Sequence, residues 1–125
     1  MSANFRISEI RAVMLGVRDL PQALAFYEGT LGLPVTLREP QLALLECGTV
    51  TLGLSPGHVR AAPHVAGATE VVFRVESVRA AHRALASAGV RFLNEPRPAT
   101  PKEWVAHFRD ADGHLLSIFG PEGEG

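Results

Sequence analysis

The segment Val13-Met14-Leu15-Gly16-Val17-Arg18-Asp19-Leu20 has a counterpart in Val71-Val72-Phe73-Arg74-Val75-Glu76-Ser77-Val78. Each copy reads as a short alternating strand running into an amphipathic helix, closed by Gly32 in the first case and Gly89 in the second. A repeated strand–helix unit predicts two half-domains related by a pseudo-two-fold axis, with a cleft between them as the natural seat for a ligand. At 125 residues the whole chain, 1–125, is one domain with room for a real core but not for two.

In the first half, a strand over Ile10–Val17 puts Val13, Leu15 and Val17 on one face and Ala12, Met14 and Gly16 on the other. Asp19 is placed as an N-cap, with Gln22 as its capping-box partner. Leu20, Leu24, Tyr27 and Leu31 then mark a helical face, and Gly32 and Pro34 end it. Val35–Glu39, Leu42–Glu46 and Val50–Leu54 are strands, the last two joined by a turn at Cys47-Gly48. The second half repeats the order. Thr69–Val75 is a strand, and Ser77 caps a helix that buries Val78, Ala81, Leu85 and Ala88. Val90–Leu93 begins another strand, and the proline-rich Asn94–Pro101 is loop. Trp104–Arg109 and His114–Phe119 flank the turn Asp110-Ala111-Asp112-Gly113. The order β-α-β-β-β, twice, predicts an α+β fold of two βαβββ modules forming a concave cleft. Module one spans about 8–55, a Pro-, Gly-, Ala- and His-rich linker about 56–68, and module two about 69–120.

Composition excludes several classes. A net charge of −1, with the basic residues spread singly, gives no surface for nucleic acid. Cys47 stands alone, so no disulfide forms within the chain, and a cytoplasmic location is expected. No signal-peptide pattern and no bilayer-length apolar run is present, so no membrane partner is expected.

Val17-Arg18-Asp19-Leu20, Ala25-Phe26-Tyr27 and Leu31-Gly32-Leu33, with Asp110-Ala111-Asp112-Gly113-His114 near the end, resemble the pattern of the vicinal oxygen chelate superfamily. This is the glyoxalase I, bleomycin-resistance and extradiol-dioxygenase group. The closing turn departs from its Asp-Pro-Asp-Gly by an alanine. The resemblance runs from Ile10 to Phe119 and implies two βαβββ modules and a homodimer, with the cleft built within one chain or between two. It does not fix the reaction, because one fold hosts many functions.

The resemblance also implies a divalent metal held by His and Glu from four strands. Counted from the motifs, those seats fall at Ala12, Gly53, Glu70 and Ser117. Ala12 and Gly53 carry no donor, and a neutral serine is a poor ligand, which leaves one carboxylate. His107 offers a second donor. The Asp-x-Asp-Gly turn favours a type I turn followed by a left-handed glycine. It sets Asp110 against His114 and points His107 to the side of Leu115, Ser117 and Phe119, with His107 opposite Leu115. Phe108 then joins Leu116 and Ile118 under the helices. Two donors still fall short of a metal site, so no metal and no cofactor is expected.

Each candidate also has a plainer reading. Glu70 is a cleft carboxylate or a strand residue paired with arginine; His107 is a proton shuttle or a half-exposed strand histidine. Arg74 and Arg109 share that face and can bind an anion, pair with Glu70 or reach solvent. Trp104 and Phe119 can stack on a planar ligand, or Trp104 can pack at the rim. Phe26 is core, Cys47 a plain thiol in a turn, and His58 and His64 sit in the linker with nothing to aim them together.

The sequence therefore predicts a small-molecule-binding homodimer without a metal, binding or sequestering an organic ligand as in the drug-resistance branch. Its cleft is lined by Met14 and Gly16 from the first module. From the second come Glu70, Val72, Arg74, His107, Leu115, Ser117 and Phe119. The alternative is a lyase, isomerase or dioxygenase-like enzyme in which Glu70 and His107 act as acid and base or as a weak metal site. A partner-binding module without a ligand fits the mixed polar cleft less well.

Overall fold

The computed structural model describes residues 10–57 and 70–124. The linker histidines His58 and His64 lie outside the described residues. The elements are β1 (Ala12–Gly16), α1 (Leu20–Leu24) continuing into a π-helical segment (Ala25–Thr30), β2 (Val35–Glu39), β3 (Leu42–Cys47) and β4 (Val50–Ser55). They are followed by β5 (Glu70–Arg74), α2 (Val78–Ser87), β6 (Arg97–Pro98), β7 (Trp104–Arg109) and β8 (Leu115–Gly120).

Two four-stranded sheets result, in the orders β1-β4-β3-β2 and β5-β8-β7-β6. The repeat extends to register. β1 runs parallel to β4 with Met14 opposite Gly53, and β5 runs parallel to β8 with Val72 opposite Ser117. Leu44 faces Gly53 across the antiparallel β3–β4 ladder, as His107 faces Ser117 across β7–β8. His107 thus lies opposite Ser117 and not Leu115, whose partner is Arg109. The expected face is right and the register is two residues out: with Asp110 bonded to His114 at the turn, pairing proceeds by equal steps away from it.

Alternation sorts each strand. Leu15 and Val17 turn inward with Tyr27, Leu45, Leu52 and Leu54; Ala106, Phe108, Leu116 and Ile118 do the same in the second sheet. All belong to one apolar cluster, joined across the halves by Phe26 packing edge-on to Phe108 at 6.4 Å. Burying a side chain the size of Phe108 stabilises the fold by roughly 2–3 kcal/mol. Polar links reinforce the junction. The Tyr27 hydroxyl donates to Asp110 Oδ2 at 2.6 Å, and Arg18 donates to Asp112 Oδ1 from its backbone N (2.9 Å) and its Nε (3.1 Å).

The helix starts follow the sequence: Asp19 accepts from Gln22 N–H, and Ser77 from Ala80 N–H. Other details differ. The first helix widens into the π segment, whose end is closed by Leu31 N–H donating to Phe26 O. Phe26 is only partly buried, packed against the core. Cys47 ends β3 opposite Val50, and the turn lies beyond it at Gly48, whose φ is +66°. The expected strand over Val90–Leu93 reduces to a single bridge between Phe92 and Phe108. The strand falls instead at Arg97–Pro98, within the expected loop. Proline is tolerated there because an edge strand leaves one row of N–H groups unpaired.

Candidate functional site

The face of the second sheet turned away from the helices is a grid. One row across it reads Arg74, Phe119, Val105, Arg97; the next Val72, Ser117, His107; the next Glu70, Leu115, Arg109. Glu70 reaches diagonally over this grid, so that its Oε2 lies 3.3 Å from His107 Nε2. The His107 side chain is about a fifth exposed and that of Glu70 about a third.

A third residue completes the pair. Asn94 Oδ1 accepts the backbone N–H of His107 at 2.9 Å and lies 3.0 Å from His107 Nδ1. Asn94 Nδ2 donates to the carbonyls of Glu95 (2.8 Å) and Val105 (3.4 Å). Asn94 sits just before β6, where the edge strand has not yet begun, and its side chain supplies the acceptor that a strand backbone would have offered. Asparagine commonly mimics the backbone in this way. Sequence reasoning placed Asn94 in loop; an asparagine at the mouth of a proline-rich segment beside a histidine-bearing strand was the only signal. Ser117, opposite His107, is wholly buried, and its hydroxyl has no partner among the described residues.

A cleft of about 640 Å³ opens over this grid. Four of the expected residues line it: Glu70, Val72, His107 and Phe119. So do Arg97, Pro98 and Ala99, which the sequence reading omitted because that segment reads as loop, and Val105, which shares the face of His107 on a strand the sequence does predict. Ser117 and Leu115 share the face without lining the cleft, and Arg74 reaches out to Glu76 at 3.8 Å. Arg109 donates to Gly113 O, not to Glu70. Trp104 has the opposite parity from His107 and packs on the core side, where the Arg79 guanidinium lies 4.9 Å from its ring centre. Met14 and Gly16 belong to the first sheet and do not line this cleft. The Gly16 carbonyl is 2.7 Å from His114 Nε2, which therefore donates to it.

The four implied metal seats do not assemble a donor set. Met14 lies over Gly53 so closely that a Cβ there would collide with its sulfur, so packing fills the space a ligand side chain would need. Among the described residues, no group of three or more His, Cys, Asp and Glu side chains is placed to hold a metal ion. Glu70 and His107 are two donors, fewer than an all-protein site requires. What the site offers is an imidazole nitrogen and a carboxylate side by side at the foot of an apolar wall, with Arg97 lining the same cleft one row away.

Residues 9–118 match the family model described as Glyoxalase/Bleomycin resistance protein/Dioxygenase superfamily. The chain is 30% identical over 124 residues to the uncharacterized protein YraH of Bacillus subtilis (strain 168), covering 86% of this chain and 94% of that one. Its fold is similar to that of TnmS3, an antibiotic binding protein from Streptomyces sp. CB03234, with a TM-score of 0.78, 23% identity and coverage of 94% and 99% of the two chains. It is also similar to lactoylglutathione lyase from Agrobacterium tumefaciens, with a TM-score of 0.76, 20% identity and coverage of 91% and 94%. Among the described residues no helix is long and apolar enough to cross a membrane.

Proposed function

The chain belongs to the Glyoxalase/Bleomycin resistance protein/Dioxygenase superfamily, and we propose that within it the protein binds a small organic molecule in the cleft of the second sheet without a metal. The observation that carries this reading is the donor count: Glu70 and His107 meet at 3.3 Å, while Met14 packs over Gly53. A cleft with an apolar wall and few convergent polar groups suits an organic ligand. The structurally similar TnmS3 is an antibiotic binding protein, which is compatible with this reading.

The cleft has one wall. All its lining residues come from the second half of the chain, and Val72 on its floor is 53% exposed. We read a second copy of the chain as the missing cover, so the functional unit is a homodimer. Sedimentation should then give a dimer, and Val72→Asp, which places a charge on the covered face, should shift it toward monomer.

A thermal-shift screen of planar antibiotics and small oxo acids tests binding, since a ligand of the native state raises the melting temperature. At a concentration of about 100 Kd the stabilisation is about 2.7 kcal/mol. Stabilisation lost in Glu70→Gln and His107→Gln supports the cleft; a library that moves nothing argues against it. Stoichiometric Zn, Ni, Mn or Fe in protein purified without added metal would overturn the metal-free part.

The Asn94 contact favours a second reading, acid–base catalysis by Glu70 and His107, because a fixed imidazole is what a general base requires. Recovering a stabilising ligand after incubation separates the two. An unchanged compound means binding alone, and conversion abolished in His107→Gln means a lyase or isomerase.

A further inference from the structure

We infer that Asn94 is a positioning residue that holds His107 in its Nδ1–H form. The cleft then presents the Nε2 lone pair and the Glu70 carboxylate together, as a receptor for a hydrogen-bond donor on the ligand. The ligand part of this rests on the binding reading above; the tautomer part does not.

The orientation of the Asn94 amide follows from its partners. A backbone N–H only donates, so the atom 2.9 Å from His107 N is the amide oxygen. Backbone carbonyls only accept, so the atom facing Glu95 O and Val105 O is the amide nitrogen. The oxygen so fixed lies 3.0 Å from His107 Nδ1 and cannot donate; Nδ1 therefore carries the proton. A neutral imidazole has one N–H, so Nε2 holds a lone pair.

That lone pair meets Glu70 Oε2 at 3.3 Å. An ionised carboxylate only accepts, so two acceptors face each other unless a proton lies between them. An imidazolium satisfies the contact, and so does a donor brought in from outside. Ser117, opposite His107 on β8, holds a buried hydroxyl without a partner among the described residues. On β5, Val72 is apolar, and Arg74 turns to Glu76. On β7, Arg109 turns to Gly113 O, and on β6, Arg97 lies opposite Val105, one row from His107. Among the described residues, none of these donates to His107 Nε2 or to Glu70. The site thus selects a ligand whose hydroxyl or N–H donates toward Nε2 and Oε2, carried on an apolar body against Val72, Val105 and Phe119.

Nitrogen-15 NMR of the histidine side chains reads the tautomer directly. His107 in the unliganded protein should show a protonated Nδ1 and, when neutral, an unprotonated Nε2. Asn94→Asp keeps an acceptor and should keep that form. Asn94→Leu removes it, and Nε2–H, donating to Glu70, should gain by roughly tenfold, the worth of one hydrogen bond. Should the leucine variant fail to fold, Asn94→Ala carries the same comparison. A wild-type ring in the Nε2–H form, or a folded Asn94 variant without acceptor that leaves the ratio unmoved, overturns the inference. Phenol should shift the His107 Nε2 signal and anisole, the same ring without the donor, should not. Equal shifts, or none from phenol, overturn the donor selectivity. A ligand bound in the cleft of a protein whose ring is Nε2–H would sink this inference alone. An Nδ1–H ring in a protein that no ligand stabilises would sink the binding reading alone.

Discussion

At the scale of single residues, Tyr27 shows how burial and charge act together. Its ring is fully buried, and its hydroxyl donates to Asp110 Oδ2 at 2.6 Å. Burial first, and then the Asp110 charge, push its ionisation far above the ordinary tyrosine range. Asp110 is committed on its other oxygen as well, accepting from Asp112 N and His114 N. Tyr27→Phe should cost about 1.5–3 kcal/mol, the range for a hydrogen bond to a charged group. The sign of its pH dependence follows from proton counting. Above pH ~10 the unfolded chain releases the tyrosine proton while the folded chain keeps it, so stability falls by ~1.4 kcal/mol per pH unit from this group. Below that range both states hold the proton and nothing changes. Urea unfolding of wild type and Tyr27→Phe at rising alkaline pH should show the gap between them closing. A gap that stays constant means the phenol is not held as described.

At the scale of elements, the chain's punctuation was readable and its exceptions were not. Asp19, Ser77, Gly32 and the Asp110–Gly113 turn each act through local chemistry, a cap or a left-handed glycine (φ +77° at Gly32 and +89° at Gly113), so the sequence alone located them. The π segment after α1 was not legible, because Leu20, Leu24, Tyr27 and Leu31 fit ordinary helical spacing; the wider turn is visible only once Phe26 meets Phe108. β6 was missed for a related reason. Pro98 reads as a breaker until β7 is known to lie beside it as the last full strand. With β6 went Arg97, Pro98 and Ala99 of the cleft lining, and with its approach went Asn94, while Glu70 and His107, on regular strands, were within reach. Gly120 illustrates an element-level constraint. A Cβ there would collide with the Val75 carbonyl, just where Val75 N–H donates to Phe119 O and extends the β5–β8 pairing. Because the obstacle is backbone and not a movable side chain, Gly120→Ala should destabilise by about 1–3 kcal/mol. A melting temperature within a degree of wild type would show that the strand end yields freely.

At the scale of the whole molecule, the backbone keeps the two-fold repeat while the side chains on equivalent positions have diverged. Met14 over Gly53 is the counterpart of Val72 beside Ser117. Met14 occupies the space a Gly53 side chain would take, whereas Val72 beside Ser117 leaves the cleft floor open. Exchanging one partner alone should fail. Gly53→Ser drives its Cβ into the Met14 sulfur, and the methionine must swing out at about 1–2 kcal/mol, moderated by its flexibility. Met14→Val alone leaves a gap over Gly53 and costs about 1 kcal/mol. The double variant places in the first sheet the pair that the second sheet holds at the equivalent positions, so the shorter valine relieves the clash with the new serine and the loss should be smaller than the sum. A coupling energy of about 1 kcal/mol or more is expected for residues in such contact. Urea denaturation of the four proteins measures it. Additive losses would mean that the halves share a backbone plan but not a packing rule, and that the Met14–Gly53 contact is not what bars a side chain from that seat.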